Sequence, residues 1–245
     1  GIVSFDYKKV NSYKGMGLVG NVFTGETIKK LKGPVAIGHV RYSTTGSSIT
    51  KNVQPLLINH KKGFIAVAHN GNLTNSVELR NELEDSGSIL QTTMDSELII
   101  HLLVKDQLNN YRTKIVPILS KLEGAYSFVL LVNDAIYAMR DPLGFRPLCI
   151  GKIDDAYVVA SETCALDMIG ATYIRDVEPG EVVILDKNGL ASLGKAPSPR
   201  HAFCIFEFIY FARPDSNIFT KSVYLARKNL GRALAKEHPV NADFV

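Results

Sequence analysis

Three segments of the sequence each end an apolar run with a compact group of polar residues. They are AIGHVRYSTTG (36–46), FIAVAHNGN (64–72) and QTTMDSELI (91–99). Side chains at such positions project from loops that a rigid sheet holds in place. Together the segments offer a guanidinium, a carboxylate, hydroxyls and an amide, which are the groups that would hold a free amino acid. We therefore treat them as one candidate site.

The individual residues suit separate parts of an amino acid. Arg41 offers a planar fork that can hold an α-carboxylate through two parallel hydrogen bonds, and Thr44 offers a hydroxyl to the same group. Asp95, near a predicted helix start, can hold an α-ammonium group. Asn70 supplies an amide donor and Gly71 a backbone N–H open to close approach, as a developing oxyanion requires.

Each of these residues, taken singly, favours an ordinary structural explanation. A lone arginine at a strand end is usually a surface ion pair, and an aspartate before a helix is usually a cap. Asn-Gly is most often a turn. Asn72-Leu-Thr74 also matches a glycosylation acceptor, which belongs to secreted proteins. Only the joint occurrence of the three segments favours an amino-acid site.

An oxyanion hole implies a nucleophile, and none of the three cysteines is a convincing one. Cys149 lies in a predicted strand, where a free cysteine is usually a small core hydrophobe. Cys164 opens a predicted helix but has no histidine nearby in sequence. Cys204 is predicted to be buried between aromatic residues. His39 and His69 lie in strand-like segments and are predicted to be core residues rather than bases.

Composition excludes several classes of protein. Of the 245 residues 46% are apolar, and the net charge is +4. Lys and Arg are scattered, which argues against a nucleic-acid partner. No apolar run is long enough for a membrane span, so no membrane partner is predicted. Three separated cysteines without a CxxC pair argue against a disulfide framework and a self-contained zinc site, and favour a reducing, cytoplasmic compartment.

Strands dominate the predicted elements, and two-residue turns such as Asn133-Asp134 indicate antiparallel hairpins. The predicted strands are Ile2–Phe5, Gly17–Phe23, Ala36–Ser43, Phe64–His69, Tyr126–Val132, Ile136–Arg140, Leu148–Ile153, Tyr157–Ser161 and Val182–Leu185.

Helices are predicted between two groups of strands. The first begins with a capping box at Asn75 and Glu78 and closes at Gly87. The others are predicted after Thr93, near Lys114–Leu122, after Ser161 as far as Gly170, and from Ser222 to about Lys236. This order predicts an α+β fold in which helices cover antiparallel sheets.

Nine motifs stand in an order that resembles a known family. They are GHVRYSTTG, NVQPLL, AHNGNLTN, DSELIIHLL, GAYSFVLL, RDPLGFRPL, ASETCALD, VEPGEVVI and FIYFARPDSNI. Over essentially the whole chain they resemble the glutamine phosphoribosylpyrophosphate amidotransferases, or amidophosphoribosyltransferases, of purine synthesis. HVRY-x-T and HNG resemble glutaminases with an N-terminal nucleophile more widely, whereas SETCALD and YFARPDS resemble the purine family in particular.

The resemblance implies a four-layer αββα sandwich of the Ntn-hydrolase type, here lacking its first strand. The nucleophile would be a cysteine at the mature N-terminus, cut away from this chain, with its own α-amino group as base. Arg41 and Thr44 would hold the glutamine carboxylate, and Asp95 its ammonium group. Asn70 and Gly71 would form the oxyanion hole.

The resemblance also implies two domains. We expect residues 1–212 to be a glutaminase domain without its N-terminal segment, and residues 213–245 to be a linker helix and the start of a phosphoribosyltransferase domain. Residues 41–52 would form a glutamine loop that closes over substrate. The parent enzyme would hydrolyse glutamine and transfer the ammonia to phosphoribosyl pyrophosphate, giving phosphoribosylamine. The fragment itself is expected to be inactive.

Cofactors and assembly follow from the same resemblance. Mg²⁺ would be bound in the missing phosphoribosyltransferase domain, and a homo-oligomer is expected. Some relatives carry a 4Fe–4S cluster with one ligand near Cys204, although a buried structural cysteine is the favoured interpretation here.

Two alternatives stay open. One is another amidotransferase with an N-terminal nucleophile, similar to asparagine synthetase, which would need an ATP-binding second domain. The other is a non-catalytic glutamine-binding module that has kept the pocket and lost the nucleophile.

Overall fold

Short strands joined by hairpins make up most of the regular structure. The computed structural model describes residues 1–41, 49–105 and 111–244. Its strands are β1 (Ile2–Phe5), β2 (Val10–Tyr13), β3 (Val35–Gly38), β4 (Leu56–His60), β5 (Gly63–Leu73), β6 (Gly124–Val132), β7 (Ala135–Arg140), β8 (Cys149–Ile153), β9 (Ala156–Ala160), β10 (Thr172–Asp176), β11 (Glu181–Asp186), β12 (Gly189–Lys195), β13 (Asn217–Ile218) and β14 (Lys221–Ser222).

Helices occupy the longer connections. They are α1 (Val19–Val22), α2 (Gly25–Ile28), α3 (Ser76–Asp85), α4 (Ser96–Lys105), α5 (Tyr111–Leu119), α6 (Thr163–Met168) and α7 (Val223–Glu237), with a 3-10 turn at Thr50–Asn52 and a π-helical turn at Glu207–Phe211. No helix within the described ranges is both long enough and apolar enough to cross a membrane.

The chain divides into two compact units. The first contains Gly1–Arg146 and Val177–His201, and the second contains Pro147–Asp176 and Ala202–Val245. This division follows compactness alone. The boundary expected between residues 212 and 213 concerns domain identity, and it stays a prediction.

The first unit is built around a six-stranded antiparallel sheet in the order β12-β11-β7-β6-β5-β4, beside a three-stranded sheet in the order β2-β1-β3. Helices α3, α4 and α5 cover one face of the larger sheet, packing on side chains such as Ile65 and Val67. Its other face packs through Phe64 and Ala66 against Val3 of the smaller sheet. Strand β5 is therefore apolar at consecutive positions because both of its faces are buried.

The outer face of the smaller sheet meets the connection that carries α1 and α2. Ser4, which alternates with the inward-facing Val3, is buried and donates to the Lys32 carbonyl at 2.9 Å. The order of layers is thus helices, sheet, sheet and helical connection. The predicted α+β sandwich with antiparallel sheets is confirmed.

The second unit has its own small core. Strands β10, β8 and β9 form a three-stranded antiparallel sheet. Leu166 of α6 packs against Cys149 of that sheet. Phe208 of the π-helical turn and Val223 of α7 form a second cluster. Helix α7 begins at the predicted Ser222, whose hydroxyl accepts from the Leu225 N–H.

Two local predictions are wrong. The predicted strand Gly17–Phe23 contains helix α1 instead. The reason is that β1 already has β2 and β3 as its two neighbours, so this segment has no strand to pair with in the described part of that sheet. The predicted strand Ala36–Ser43 ends early, since β3 stops at Gly38, and residues 42–48 lie outside the described residues.

The predicted capping box is wrong as well. Helix α3 follows Asn75 as expected, but the Asn75 side chain makes no capping hydrogen bond. It donates to the Lys121 carbonyl at 2.9 Å and accepts from the Glu123 N–H at 3.1 Å. A tertiary contact has therefore taken the side chain away from the local cap.

Arg140, at the end of β7, organises the loop that follows it. The side chain is buried, at 4% exposure. It donates to the backbone carbonyls of Arg146 and Val177, both at 2.8 Å, and of Gly144, at 2.9 Å. One side chain thus donates to three loop carbonyls, of which those of Gly144 and Val177 are buried.

We predict that Arg140→Met lowers the free energy of unfolding by about 3 kcal/mol, because the buried carbonyls of Gly144 and Val177 would lose their side-chain donor. Chemical denaturation at neutral pH measures the change. Arg112→Met is the matched control, because the half-exposed Arg112 pairs with Asp186 at the surface and should cost about 0–1 kcal/mol. Equal losses for the two variants would contradict the role given to Arg140.

Candidate functional site

Strand β5 is longer than predicted and includes the Asn-Gly pair that was expected to follow it. Asn70 and Gly71 lie inside β5, which continues to Leu73. They pair with Ser127 and Tyr126 of β6. The predicted strand end at His69 is therefore wrong, and the Asn-Gly pair is part of a strand rather than a turn.

Only glycine fits at position 71. Its φ is +147°, and a Cβ built there would lie 2.0 Å from the backbone oxygen of Ala125. Because the obstacle is backbone, no side-chain movement can relieve it. The close approach of β6 therefore requires a residue without a side chain.

The N–H of Gly71 points away from β6. Tyr126, its partner on β6, forms both of its backbone hydrogen bonds with Asp141. The Asp141 N–H donates to the Tyr126 carbonyl at 2.8 Å, and the Tyr126 N–H donates to Asp141 Oδ2 at 3.3 Å. A strand residue directs its N–H and C=O to one side. Since Tyr126 faces β7, Gly71 faces the opposite edge of β5, which β4 covers only as far as Val67.

Side chains occupy the neighbouring positions on that uncovered edge. The His69 N–H donates to Gln54 Oε1 at 2.7 Å. The Leu73 N–H donates to Asp95 Oδ2 at 2.9 Å. Strand alternation places the Gly71 N–H between these two on the same edge. The edge thus holds a row of three donors, of which side chains take the outer two.

Asn70 precedes this central donor. Its side chain is half-buried, and no hydrogen bond to it occurs within residues 1–41, 49–105 and 111–244. An amide donor and a backbone N–H therefore stand at consecutive positions of one strand, and their role as an oxyanion hole stays a prediction.

Asp95 is bound to β5 by both of its carboxylate oxygens. Oδ2 accepts from Leu73, and Oδ1 lies 3.3 Å from Nδ1 of His69. Burial would raise the pKa of Asp95, but the hydrogen bonds from His69, Leu73 and the Ser96 N–H outweigh it and lower that pKa. The carboxylate is therefore ionised at neutral pH and can attract a cation.

Arg41 lies at the end of the smaller sheet's last strand segment. With His39, Val40 and Val53 it lines a cavity of about 110 Å³. Burial is the main cause that lowers the pKa of His39 to about 4, and nearby positive groups, including the N-terminal amino group and Arg41, lower it further. His39 is therefore neutral at pH 7. Thr44, the other predicted carboxylate ligand, lies outside the described residues.

Sequence reasoning missed two residues that tie the site together. Asn52 and Gln54 are both buried. Gln54 accepts from His69 as described above, and Asn52 Nδ2 donates to Thr93 Oγ1 at 2.9 Å. The segment that follows residues 42–48 is thereby fixed both to β5 and to the turn before α4. The sequence feature that could have revealed them is a pair of amide side chains next to Val53 and Pro55, in a stretch apolar enough to be buried.

Glu97 fixes the turn that carries Asp95. Its fully buried carboxylate accepts from the N–H groups of Gln91 and Thr92 and from the Thr92 hydroxyl, each at 2.7 Å. Burial would raise its pKa, but hydrogen bonds, from His101 first and then from Gln91 and Thr92, lower it to about 2. Sequence reasoning missed this residue too, although a glutamate inside an apolar helix already indicates a partner.

Cys149 and Cys164 are poor nucleophiles. Burial raises the pKa of Cys149 to about 12 and also raises that of Cys164, so both thiols stay protonated. Cys204 is half-buried rather than buried as predicted, because the neighbouring Phe203 and Phe206 are exposed. In the described part of the chain, no group of three His, Cys, Asp or Glu residues could hold a metal ion.

We predict that Glu97→Gln destabilises the protein by about 2 kcal/mol at pH 7, because the amide would present its own N–H to groups that already donate. The wild-type pKa lies below its ordinary value of 4.5, so the stabilisation is present above pH 4.5 and is lost as pH falls towards about 2. Urea unfolding over a pH series measures the difference.

Glu82→Gln is the control, because Glu82 is exposed and its carboxylate lies 4.0 Å from the Lys105 amine. We expect it to change stability by about 0.5 kcal/mol or less. A Glu97→Gln difference that stays constant from pH 5 to pH 2 would be inconsistent with the buried carboxylate.

Comparison with known proteins places this site in a family. Residues 39–168, just over half of the chain, match the family model described as a glutamine amidotransferase domain. The chain is 50% identical to the amidophosphoribosyltransferase of Archaeoglobus fulgidus, over 100% of this chain and 54% of the relative. It is 47% identical to that of Bacillus subtilis, over 100% of this chain and 52% of the relative.

Among solved structures, the chain is similar to the glutamine phosphoribosylpyrophosphate amidotransferase from B. subtilis complexed with ADP and GMP. The TM-score is 0.91 and the identity 46%, covering 99% of this chain and 52% of that one. The chain thus spans about half the length of the curated relatives it matches. The fold of the Ntn-hydrolase type implied by the sequence motifs is confirmed by this likeness. The chain belongs to the glutamine amidotransferase domain family.

Proposed function

We propose that this chain is the glutaminase part of an amidophosphoribosyltransferase, which hydrolyses glutamine and passes the ammonia to phosphoribosyl pyrophosphate to give phosphoribosylamine in purine synthesis. The observation that carries the proposal is the edge of β5 beyond Val67, with which β4 does not pair. There the Gly71 N–H follows the Asn70 amide by one residue, and the ionised Asp95 is hydrogen-bonded to the same strand. The family and the names of its relatives supply the reaction.

The site would hold glutamine by the two charged groups on its α-carbon, the ammonium and the carboxylate. Asp95 would bind the α-ammonium group, because its carboxylate is ionised and oriented by two donors. Arg41 would bind the α-carboxylate through its guanidinium, and Thr44 would add a hydroxyl. These contacts leave the side-chain amide of glutamine to reach towards Asn70 and Gly71.

Asn70 and Gly71 would stabilise the transition state. When a nucleophile attacks the carboxamide carbon, the carbonyl oxygen becomes an oxyanion, and the Asn70 amide and the Gly71 N–H can donate to it. The carbon–nitrogen bond then breaks and ammonia leaves with a proton from the base. The nucleophile would be a cysteine at the mature N-terminus, whose thiol proton passes to its own α-amino group.

The remaining parts of the proposal rest on the relatives. The phosphoribosyltransferase reaction, with Mg²⁺, would belong to a domain that follows residues 213–245, and the glutaminase domain would end near residue 212. A homo-oligomer in the cytoplasm is proposed. Cys204 belongs to no group of three His, Cys, Asp or Glu residues in the described part of the chain, so a 4Fe–4S cluster held by it would need further ligands from outside these residues.

We predict that Asn70→Ala lowers kcat for glutamine hydrolysis about 10²–10³-fold with little change in KM, because the amide acts on the oxyanion and not on bound glutamine. The protein produced from its complete reading frame is used, and released glutamate is measured. Asn72→Ala is the control, since Asn72 lies on the same strand and is exposed.

If Asn70→Ala lowers kcat by less than about 10-fold, the proposal that Asn70 donates to the oxyanion is wrong. If the wild-type protein binds glutamine without hydrolysing it, the alternative of a non-catalytic glutamine-binding module is favoured instead.

A further inference from the structure

We propose that His69 is a positioning residue that orients Asp95 towards the α-ammonium group of glutamine. The inference rests on the proposed function, in which Asp95 binds that group. It adds a role for a side chain that sequence reasoning treated as part of the core.

The ring of His69 is fixed in place. Its side chain is 1% exposed, and it stacks on Phe128 with ring centroids 4.1 Å apart and an interplanar angle of 23°. The backbone is fixed as well, because the His69 N–H donates to Gln54 Oε1 at 2.7 Å. A contact made by this ring therefore has one defined direction.

The ring's contact is with Asp95. An ionised carboxylate can only accept hydrogen bonds, so Nδ1 of His69 carries the proton at its 3.3 Å contact with Oδ1. The Leu73 N–H holds the other oxygen. Two donors from β5, one to each oxygen, fix the rotation of the carboxylate and leave its remaining lone pairs for a ligand.

The other ring nitrogen of His69 makes no hydrogen bond to the described residues. Nε2 of His69 is buried and has no hydrogen-bond partner there. A side chain that replaces Nδ1 alone should therefore preserve the function. His69→Asn places an amide nitrogen near Nδ1, whereas His69→Gln places it near Nε2, and His69→Phe keeps the flat ring without either donor.

The position of His69 also explains why this residue matters to the site as a whole. Asp95, the proposed ligand of the ammonium group, is hydrogen-bonded to His69, and the next residue along β5 is Asn70, the proposed first oxyanion donor. A change in the Asp95 carboxylate's orientation would move one end of the amino acid relative to the other.

The experiment uses the protein produced from its complete reading frame, with the proposed N-terminal cysteine replaced by alanine in every variant so that bound glutamine is not hydrolysed. Binding of two ligands is measured by calorimetry and by competition. Glutamine carries the α-ammonium group, and glutaramic acid is the same molecule without it. We expect His69→Phe and His69→Gln to weaken glutamine binding about 10-fold or more, since a hydrogen bond to a charged group is lost. Glutaramic acid should bind all variants equally, and His69→Asn should stay within about 3-fold of wild type for both ligands.

A double-mutant cycle with Asp95→Asn separates positioning from general damage. In the Asp95→Asn background, His69→Phe should cost little further glutamine affinity, because its target is already gone. Additive losses, equal losses for both ligands, or an unchanged glutamine affinity in His69→Phe would overturn the role of His69. If His69→Phe does not fold, the contrast between His69→Asn and His69→Gln decides in the same way.

Failure of the proposed function gives a different result. If the site does not bind glutamine at all, the protein with the native His69 binds neither ligand with measurable affinity, and the assignment of Asp95 falls together with that of His69. If it binds glutamine but the active protein does not hydrolyse it, only the glutaminase reaction falls, and the His69 variants still test the positioning role. If the three His69 variants all bind glutamine with the same affinity as the wild-type protein, only the positioning role of His69 is overturned.

Discussion

The site depends on one structural constraint: strand β5 extends beyond its neighbour β4, and the exposed edge must find partners for its N–H groups. Buried backbone donors are rarely left without partners. Gln54 satisfies the N–H of His69 and Asp95 satisfies that of Leu73. The donor of Gly71 between them is the one that can be given to a ligand. The hydrogen bonds that satisfy the strand edge thus also hold the Asp95 carboxylate against the same strand as Asn70 and Gly71, the proposed oxyanion donors.

The surrounding structure supports this edge from both sides. Strand β5 is rigid because its apolar residues are buried against helices on one face and against the smaller sheet on the other. Glu97 holds the turn before α4 through three hydrogen bonds, so Asp95 cannot move independently of that helix. Asn52 joins the same turn to the segment that follows residues 42–48. The functional groups therefore stand on fixed elements rather than on free loops.

Much of this could be predicted from sequence, because the patterns involved are local. Most strands and helices, the α+β class and the convergence of Asn70, Gly71 and Asp95 followed from apolar runs ending in polar residues. The extension of β5 to Leu73 could not be predicted, since Asn and Gly have low strand propensity and only pairing with β6 overrides it. The contacts of Gln54 and His69 join residues distant in sequence, which no periodicity reveals.

The central claim is that glutamine binds at the edge of β5, with its ammonium group on Asp95 and its side-chain amide at Asn70 and Gly71. A structure of the protein with bound glutamine tests it most directly. The account predicts the α-ammonium nitrogen within hydrogen-bond distance of Asp95, the α-carboxylate on Arg41, and the side-chain oxygen directed at the Gly71 N–H and the Asn70 amide. A glutamine molecule bound elsewhere, or bound here with its ammonium group away from Asp95, would contradict it.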